Sequence, residues 1–296
     1  MNVTPTALAA LIDSATQELD AALARGEVHY GQGTLDARDE AAWLVLWSLG
    51  LPLDTDPDTH AAPIAADAQR RALDLVRRRW QTRTPAAYLT GEAWLQGVPF
   101  AVDSRVIIPR SLIAELLANG SIDPWLHPQT ERVLDLCTGN GSLAVLAALT
   151  YPEVSVWGLD LSTDALEVAA RNVARHHLQD RITLLASDGL AHAPGRFDCI
   201  LCNPPYVNAQ SMESLPPEFQ AEPRLALDGG ADGMDFIRRL LQDLPRHLTP
   251  QGVLVLEIGH ERDHFEAAFP ELTPVWLPCT AGDDHVLLLT AQDLGA

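Results

Sequence analysis

The sequence predicts an α/β protein: a seven-stranded, mostly parallel sheet covered by helices on both faces, preceded by a smaller helical domain. Three observations predict it. Five apolar runs of strand length, each too continuous for a sheet with one wet face, alternate with helical segments from residue 131 onward. Two further short runs at the end are joined by a turn, which makes one strand antiparallel. Residues 1–90, by contrast, repeat their apolar positions every three or four residues.

Taken in order, Leu8, Leu11, Ile12, Ala15 and Leu19 mark one face of an amphipathic helix within MNVTPTALAALIDSATQELD, which has acids in its apolar stretch and no early positive charge. It is therefore not a signal peptide. Thr34 ahead of Leu35-Asp36-Ala37-Arg38 reads as a helix start, and Ala42, Leu44, Leu46 and Trp47 with their neighbours follow the same 3- or 4-residue period. Residues 54–63 form a polar connector containing proline. Arg70, Arg71, Arg77, Arg78, Arg79 and Arg83 crowd one helix; a solvated helix face is preferred over a patch that touches RNA or an acidic surface. Residues 94–108 alternate around Gly97 and Pro99 as a hairpin, and Pro109-Arg110-Ser111 opens a helix to about Asn119. The expected domains are thus a helical substrate-recognition domain over 1–90, a hairpin and linker helix over 91–120, and the α/β domain over 121–296.

Within that last domain the strands are 133–137, 154–160, 182–187, 197–202 and 253–259, followed by 273–277 and 285–291 around Gly282-Asp283-Asp284. Helices are expected at 141–150, 162–176 and 235–247. In such a sheet ligands sit beyond the carboxyl ends of the strands. Three successive strand ends carry acids: Asp135, Asp160 and Asp188, the last beside Gly189. After the first comes Thr138-Gly139-Asn140-Gly141, whose glycines permit a tight turn and a close backbone approach. This pattern points to a nucleoside cofactor, with Asp160 accepting the ribose hydroxyls and Asp188 facing an adenine edge.

Gly139, Gly141 and Ala144 also satisfy G-x-G-x-x-A, the mark of a nicotinamide dinucleotide. Asp135 argues against it, since a carboxylate before the loop would repel a pyrophosphate. It suits the ammonium and sulfonium charges of S-adenosylmethionine.

The fourth strand ends in Asn203-Pro204-Pro205-Tyr206. Two prolines cannot donate to a ladder, so the strand must stop there. The nitrogen of an amide, or of the amino group on an adenine ring, is a poor nucleophile because its lone pair is delocalised. The Asn203 side-chain oxygen and the Pro204 carbonyl could hold its two N–H groups and so orient that lone pair, the proline rings keeping the acceptors converged. Tyr206 could stack on the planar group.

Two other patterns are weaker. Cys199 and Cys202 spell C-x-x-C, but residues three apart on a strand face opposite ways, so they are expected in the core. His260-Glu261-Arg262-Asp263-His264 is a literal H-E-x-x-H, the spacing of a zinc site on a helix. It follows a strand and starts a short acidic helix. Glu271 and His285 offer no compelling third-ligand spacing, so no metal is expected. Glu222-Pro223-Arg224 through Gly233 is either a lid near the crevice or a surface turn.

The net charge is −20, and all twenty basic residues are arginine. A protein built to grip free DNA usually shows a basic balance, so basic partners are expected instead. No apolar run reaches the ~18–20 residues of a membrane span. Four cysteines without a secretory signal suit a reduced cytoplasm.

The order DLCTGNG, an acid ending the second strand, SDG, NPPYV and then EPRLALDGGADGMDFIRRLL resembles the N(5)-glutamine methyltransferases, over nearly the whole chain and including residues 84–111. The resemblance implies a class I, Rossmann-like methyltransferase domain behind a helical substrate domain. It implies that Thr138, Gly139, Asn140, Gly141, Asp160 and Asn203 contact S-adenosylmethionine, and that Asn203 to Tyr206 hold a glutamine amide. Asp135, Leu161, Asp188 and Gly189 complete the candidate cofactor residues. Cys137 and the run Pro109-Arg110-Ser111-Leu112-Ile113-Ala114-Glu115-Leu116 resemble the branch acting on ribosomal protein uL3 more than the release-factor branch. Asn140, where Ser is usual, and His260 depart from the family pattern. Adenine methylation of nucleic acid is the competing activity, disfavoured by the charge. A ribosome-assembly binding module without turnover is the non-enzyme competitor, disfavoured by the intact Asn203 motif.

Overall fold

The computed structural model describes residues 7–295, so the first six positions of the N-terminal amphipathic stretch lie outside the described residues. The chain divides into two compact units, Met1–Ala93 with Pro216–Ala221, and Trp94–Leu215 with Glu222–Ala296.

The first unit packs α1 (Leu8–Ala24), α2 (Ala37–Leu49), α3 (Ala66–Thr82) and the short α4 (Ala86–Thr90). Leu8, Leu11, Ile12, Ala15 and Leu19 are all buried, so the sequence period does mark the inner face of α1. The cap of α2 is Asp36, whose side chain accepts from Asp39 N, and not Thr34. Thr34 instead donates to the buried Glu40 at 2.9 Å. A carboxylate cap of this kind is worth ~1 kcal/mol.

The arginine helix departs most from expectation. Arg70 pairs with Asp67 and Arg77 with Asp74, both in solvent. Arg79, however, is only 1% exposed and contacts Glu40 at 2.7 Å and Glu218 at 3.2 Å. It falls on the same inner stripe of α3 as Ala72 and Val76, so a charged residue occupies a core position with its partners supplied.

The second unit follows the hairpin β1 (Glu92–Leu95) and β2 (Val98–Ala101), the chain passing from one unit to the other within β1. Its elements are α5 (Ile113–Ala118), β3 (Arg132–Leu136), α6 (Ser142–Thr150), β4 (Ser155–Asp160), α7 (Thr163–Arg175), β5 (Ile182–Ala186) and β6 (Phe197–Cys202). Then come α8 (Ala209–Ser214), α10 (Asp235–Asp243), β7 (Leu248–Glu257), α11 (Arg262–Ala268), β8 (Val275–Trp276) and β9 (Val286–Thr290), while α9 (Pro217–Gln220) belongs to the first unit.

The seven strands run in the order β5-β4-β3-β6-β7-β9-β8. All pairs from β5 to β7 are parallel, and β9 is antiparallel to both neighbours. The chain builds outward from β3 to β5 and then returns to the other side of β3 for β6. The ends of β3 and β6 therefore flank the topological switch, where open α/β sheets bind ligands.

Cys199 and Leu201 enter the core on one face, Ile200 and Cys202 that on the other. The two cysteines are buried and separated by the sheet, as strand alternation requires. Boundaries shift by a few residues. The first strand stops at Leu136 because Cys137 takes a left-handed φ of 62°. The strand expected from 253 begins at Leu248, with a register irregularity against β6 between Phe197 and Cys199. The helix expected from Pro109 begins at Ile113, whose N–H donates to the Ser111 hydroxyl at 3.2 Å while that hydroxyl donates to Glu257 at 2.5 Å. Among the described residues no helix is long and apolar enough to cross a membrane.

Candidate active site

The turn after β3 is built around Asp135, 1% exposed. Its Oδ2 accepts from the Thr138 hydroxyl at 2.5 Å and from Ala144 N at 2.9 Å, which ties the strand to the first turn of α6. Its Oδ1 is buried without a partner, and so is Asn140 Nδ2. Burial pushes the Asp135 carboxyl up to about 7, against the two hydrogen bonds that lower it. A buried acceptor and a buried donor left open in one loop match a zwitterionic amino-acid end with an ammonium and a carboxylate. Gly141 has φ 80°, and a Cβ there would stand 3.1 Å from that of Ala169, so the loop can sit this close to α7 only as glycine.

Asn172 holds the turn from behind. It is fully buried in the last turn of α7 and donates to Asn140 O at 2.8 Å and Ala101 O at 3.0 Å, while its own oxygen accepts from Ala101 N. A buried amide in a helix was the signal available in the sequence.

Asp160 ends β4. It reaches back to Gly139 N at 2.8 Å and takes Ser162 N at 2.8 Å, one bond on each carboxylate oxygen. Each oxygen keeps a second lone pair for a further donor, such as a ribose hydroxyl. Burial raises its pKa, with the backbone bonds opposing. Leu161 beside it is 54% exposed, an apolar surface next to this carboxylate. Asp188 lies past the end of β5 with its side chain in solvent, paired with Arg239 at 3.3 Å. Phe236 stands 3.9 Å from where a Gly189 Cβ would be, so α10 supplies an aromatic edge here that the sequence reading missed.

Asn203 follows β6, the strand hydrogen-bonded to β3, with Leu136 opposite Cys202. The Asp135 turn and Asn203-Pro204-Pro205-Tyr206 are therefore neighbours at the switch. Tyr206 Oη donates to Glu257 Oε1 at a long 3.4 Å, and burial pushes its pKa well up. The segment from Asp228 to Gly233, left open as lid or surface turn, packs on this motif. Val207 N donates to Leu227 O and Gly229 N to Val207 O, both at 2.9 Å. A Cβ on Gly229 or Gly233 would strike the Tyr206 backbone at 2.8 and 2.2 Å.

Glu257 and Glu261 are the site's unforeseen residues, both buried. Glu257 closes β7; an acid ending an apolar run was its signal. The H-E-x-x-H pattern does not lie on one helix, because α11 begins at Arg262, after His260 and Glu261. Glu261 instead accepts from Asn208 Nδ2 at 2.6 Å and His264 Nδ1 at 2.5 Å.

A parallel sheet with one terminal antiparallel strand, an acid-anchored glycine turn at its switch, and an amide-proline-proline end on the adjoining strand together define a Rossmann-like methyltransferase. Comparison with known proteins agrees. The family described as methyltransferase small domain matches residues 114–230. The hMettl16 catalytic domain, solved in complex with the MAT2A 3′UTR hairpin 6, shares the fold at TM-score 0.51 and 14% identity, over 75% of this chain and 80% of that one. Much nearer are ribosomal protein uL3 glutamine methyltransferases. That of Bordetella pertussis strain Tohama I is 55% identical over 288 residues, 96% of this chain and 95% of the relative. That of Burkholderia pseudomallei strain K96243 is 48% identical over 282 residues, 92% of each chain. The chain belongs to the ribosomal protein uL3 glutamine methyltransferase family.

Proposed function

We propose that the protein methylates the side-chain amide nitrogen of a glutamine in ribosomal protein uL3 in the cytoplasm, using S-adenosylmethionine. The observation that carries this reading is the adjacency of the Asp135 turn to Asn203-Pro204-Pro205-Tyr206 on hydrogen-bonded strands. When bound, the cofactor supplies an electrophilic methyl group on a sulfonium centre. Asp135 Oδ1 would receive its ammonium and Asn140 Nδ2 its carboxylate, since both atoms are buried and without a partner. Gly139 and Gly141 let the backbone approach it, Thr138 holds Asp135, and Asp160 takes the ribose beside Leu161. Asp188 and Gly189 border the adenine.

On the acceptor side the Asn203 side-chain oxygen and the Pro204 backbone carbonyl would each take one N–H of the glutamine amide. Held so, the nitrogen lone pair would be free to face the methyl group, and the Tyr206 ring would be available to stack on the amide. Positive charge growing on that nitrogen strengthens both hydrogen bonds, so they are tighter in the transition state than in the ground state. Pro205 keeps the pair rigid, and the proton leaves to solvent after transfer.

The test is transfer of tritiated methyl from the cofactor with uL3, a peptide-chain release factor and DNA offered side by side. Label in uL3 alone is expected; label in release factor or DNA would reassign the acceptor. Asn203→Ala should lower transfer by about a hundredfold or more with the fold retained, and near-normal turnover would remove the proposed acceptor geometry.

A further inference from the structure

The five residues Glu257-Ile258-Gly259-His260-Glu261, which close β7 and turn toward α11, face the chain that follows Asn203 and Pro204. Tyr206 Oη is directed at Glu257. The Glu257 carboxylate is pinned by the Ser111 hydroxyl at 2.5 Å and Leu112 N at 2.9 Å, both on its Oε2. The Tyr206 ring lies over Gly259, where a Cβ would come within 2.6 Å of ring Cε2. Two residues on, Asn208 is held at both ends of its amide. Its Nδ2 donates to Glu261 at 2.6 Å, and its Oδ1 accepts from Ser211 N at 2.9 Å, capping α8. Glu261 also receives Asn208 N at 3.4 Å and His264 Nδ1 at 2.5 Å, while its side chain is 1% exposed.

A carboxylate buried in a turn is costly unless every lone pair is used, and an apolar residue would fill the same space without that cost. What the carboxylate adds is direction. It sets the rotamer of Asn208, and through a short stretch it fixes where the rigid Pro204-Pro205 segment can lie. Glu257 and Gly259 seat Tyr206 from the same strand end.

We propose that Glu261 is a positioning residue for methyl transfer, acting through Asn208 to hold the amide-binding segment Asn203–Tyr206 against the strand end of β7. This rests on the glutamine methyltransferase reading above. The carboxylate touches neither the cofactor turn nor the reacting nitrogen, so its contribution lies in kcat, any effect on cofactor affinity being limited to the single contact expected from Asn203.

The experiment is steady-state transfer of tritiated methyl to uL3 by the full chain, with cofactor Kd from calorimetry, for Glu261→Ala, Glu261→Gln, Asn208→Ala and the Ala–Ala double variant. Wild-type protein is assayed first; no label in uL3 would remove the underlying reading before any variant is compared. With wild type active, Glu261→Ala should lower kcat roughly ten- to a hundredfold, with cofactor Kd within about twofold. Glu261→Gln, whose oxygen can still accept from Asn208 and whose nitrogen can donate to His264, should recover most of the loss. Asn208→Ala should reproduce the loss, and the double variant should be no worse than either single one, as for two residues in one path. Unchanged kcat in Glu261→Ala, or losses that multiply in the double variant, would overturn the proposal. If Glu261→Ala does not fold, Asn208→Ala with normal kcat overturns it, and Asn208→Ala with reduced kcat at unchanged cofactor Kd upholds it.

Discussion

Asp135 shows how far one carboxyl can be tuned by burial. One of its oxygens serves the turn and the other has no partner, so the ion is poorly compensated and its carboxyl is pushed from 3.8 up to about 7. A group raised this way stabilises the fold fully below its ordinary value, and that contribution is lost as pH rises toward about 7. Cofactor binding runs the other way. If Asp135 receives the cofactor's ammonium as proposed above, that charge selects the ionised carboxylate, and cofactor Kd should fall about tenfold for each pH unit gained below 7 and level off above it. Asp135→Asn keeps the shape while removing the titration. Calorimetry between pH 5.5 and 8 should then show a flat profile and, at pH 8, affinity weaker by about tenfold or more. A variant that keeps the wild-type slope would place the titrating group elsewhere. The acid–glycine turn was legible in the sequence because it is local: acid, hydroxyl and glycines lie within seven residues of one strand end. The open oxygen that raises the carboxyl was not legible, because burial is decided by α6, α7 and the sheet together.

Elements repeat this division between near and far. The strands, their order of appearance and the inner face of α1 follow from periodicity, which depends only on neighbours in the chain. Glu257 and Glu261 could not be assigned partners that way, since Ser111 and Asn208 lie 146 and 53 residues distant. Arg79 is the plainest case. Charge was read as exposure, although its spacing from Ala72 and Val76 already put it on the inner stripe of α3. The missing information was Glu218, 139 residues away, in the segment Pro216–Ala221 that packs with the first unit. Arg83, in a left-handed C-cap conformation, meets the other oxygen of Glu218 at 2.7 Å. Burial raises the Glu218 pKa, but bonds from Arg83, the backbone and Arg79 outweigh it and hold the carboxyl below its ordinary value. Its stabilisation is therefore present above that ordinary value and lost as pH falls through the lowered one. Removing one member of a buried ion pair costs up to ~3–5 kcal/mol, an upper bound here because Arg79 keeps Glu40 at 2.7 Å. Urea unfolding of Glu218→Ala near pH 7 should show a loss of that order, and Arg83→Ala, whose side chain is 27% exposed, a smaller one. Equal losses would mean that Arg79 is satisfied without Glu218.

For the whole molecule the informative quantity is net charge. Sequence alone gives −20, which fixes the sign of the long-range field but names no partner. The family adds the partner, because the relatives are named for ribosomal protein uL3, and a field of this sign attracts a substrate of opposite charge. If uL3 is the substrate, the field should steer its encounter, and encounter steering is screened by salt: the Debye length falls from about 10 Å at 0.1 M to about 3 Å at 1 M. kcat/KM for uL3 should then fall by about tenfold between 50 and 500 mM salt, mostly through KM, as expected for association assisted by distant charge. A short neutral glutamine peptide feels the same active site but little of the field, so its kcat/KM should change by less than about twofold over that range. The comparison separates the two contributions without altering the protein. Parallel salt curves for uL3 and the peptide would place recognition wholly in the contacts around Asn203 and leave the acidity without a part in catalysis; a steep curve for uL3 alone assigns it to capture of uL3 by charge.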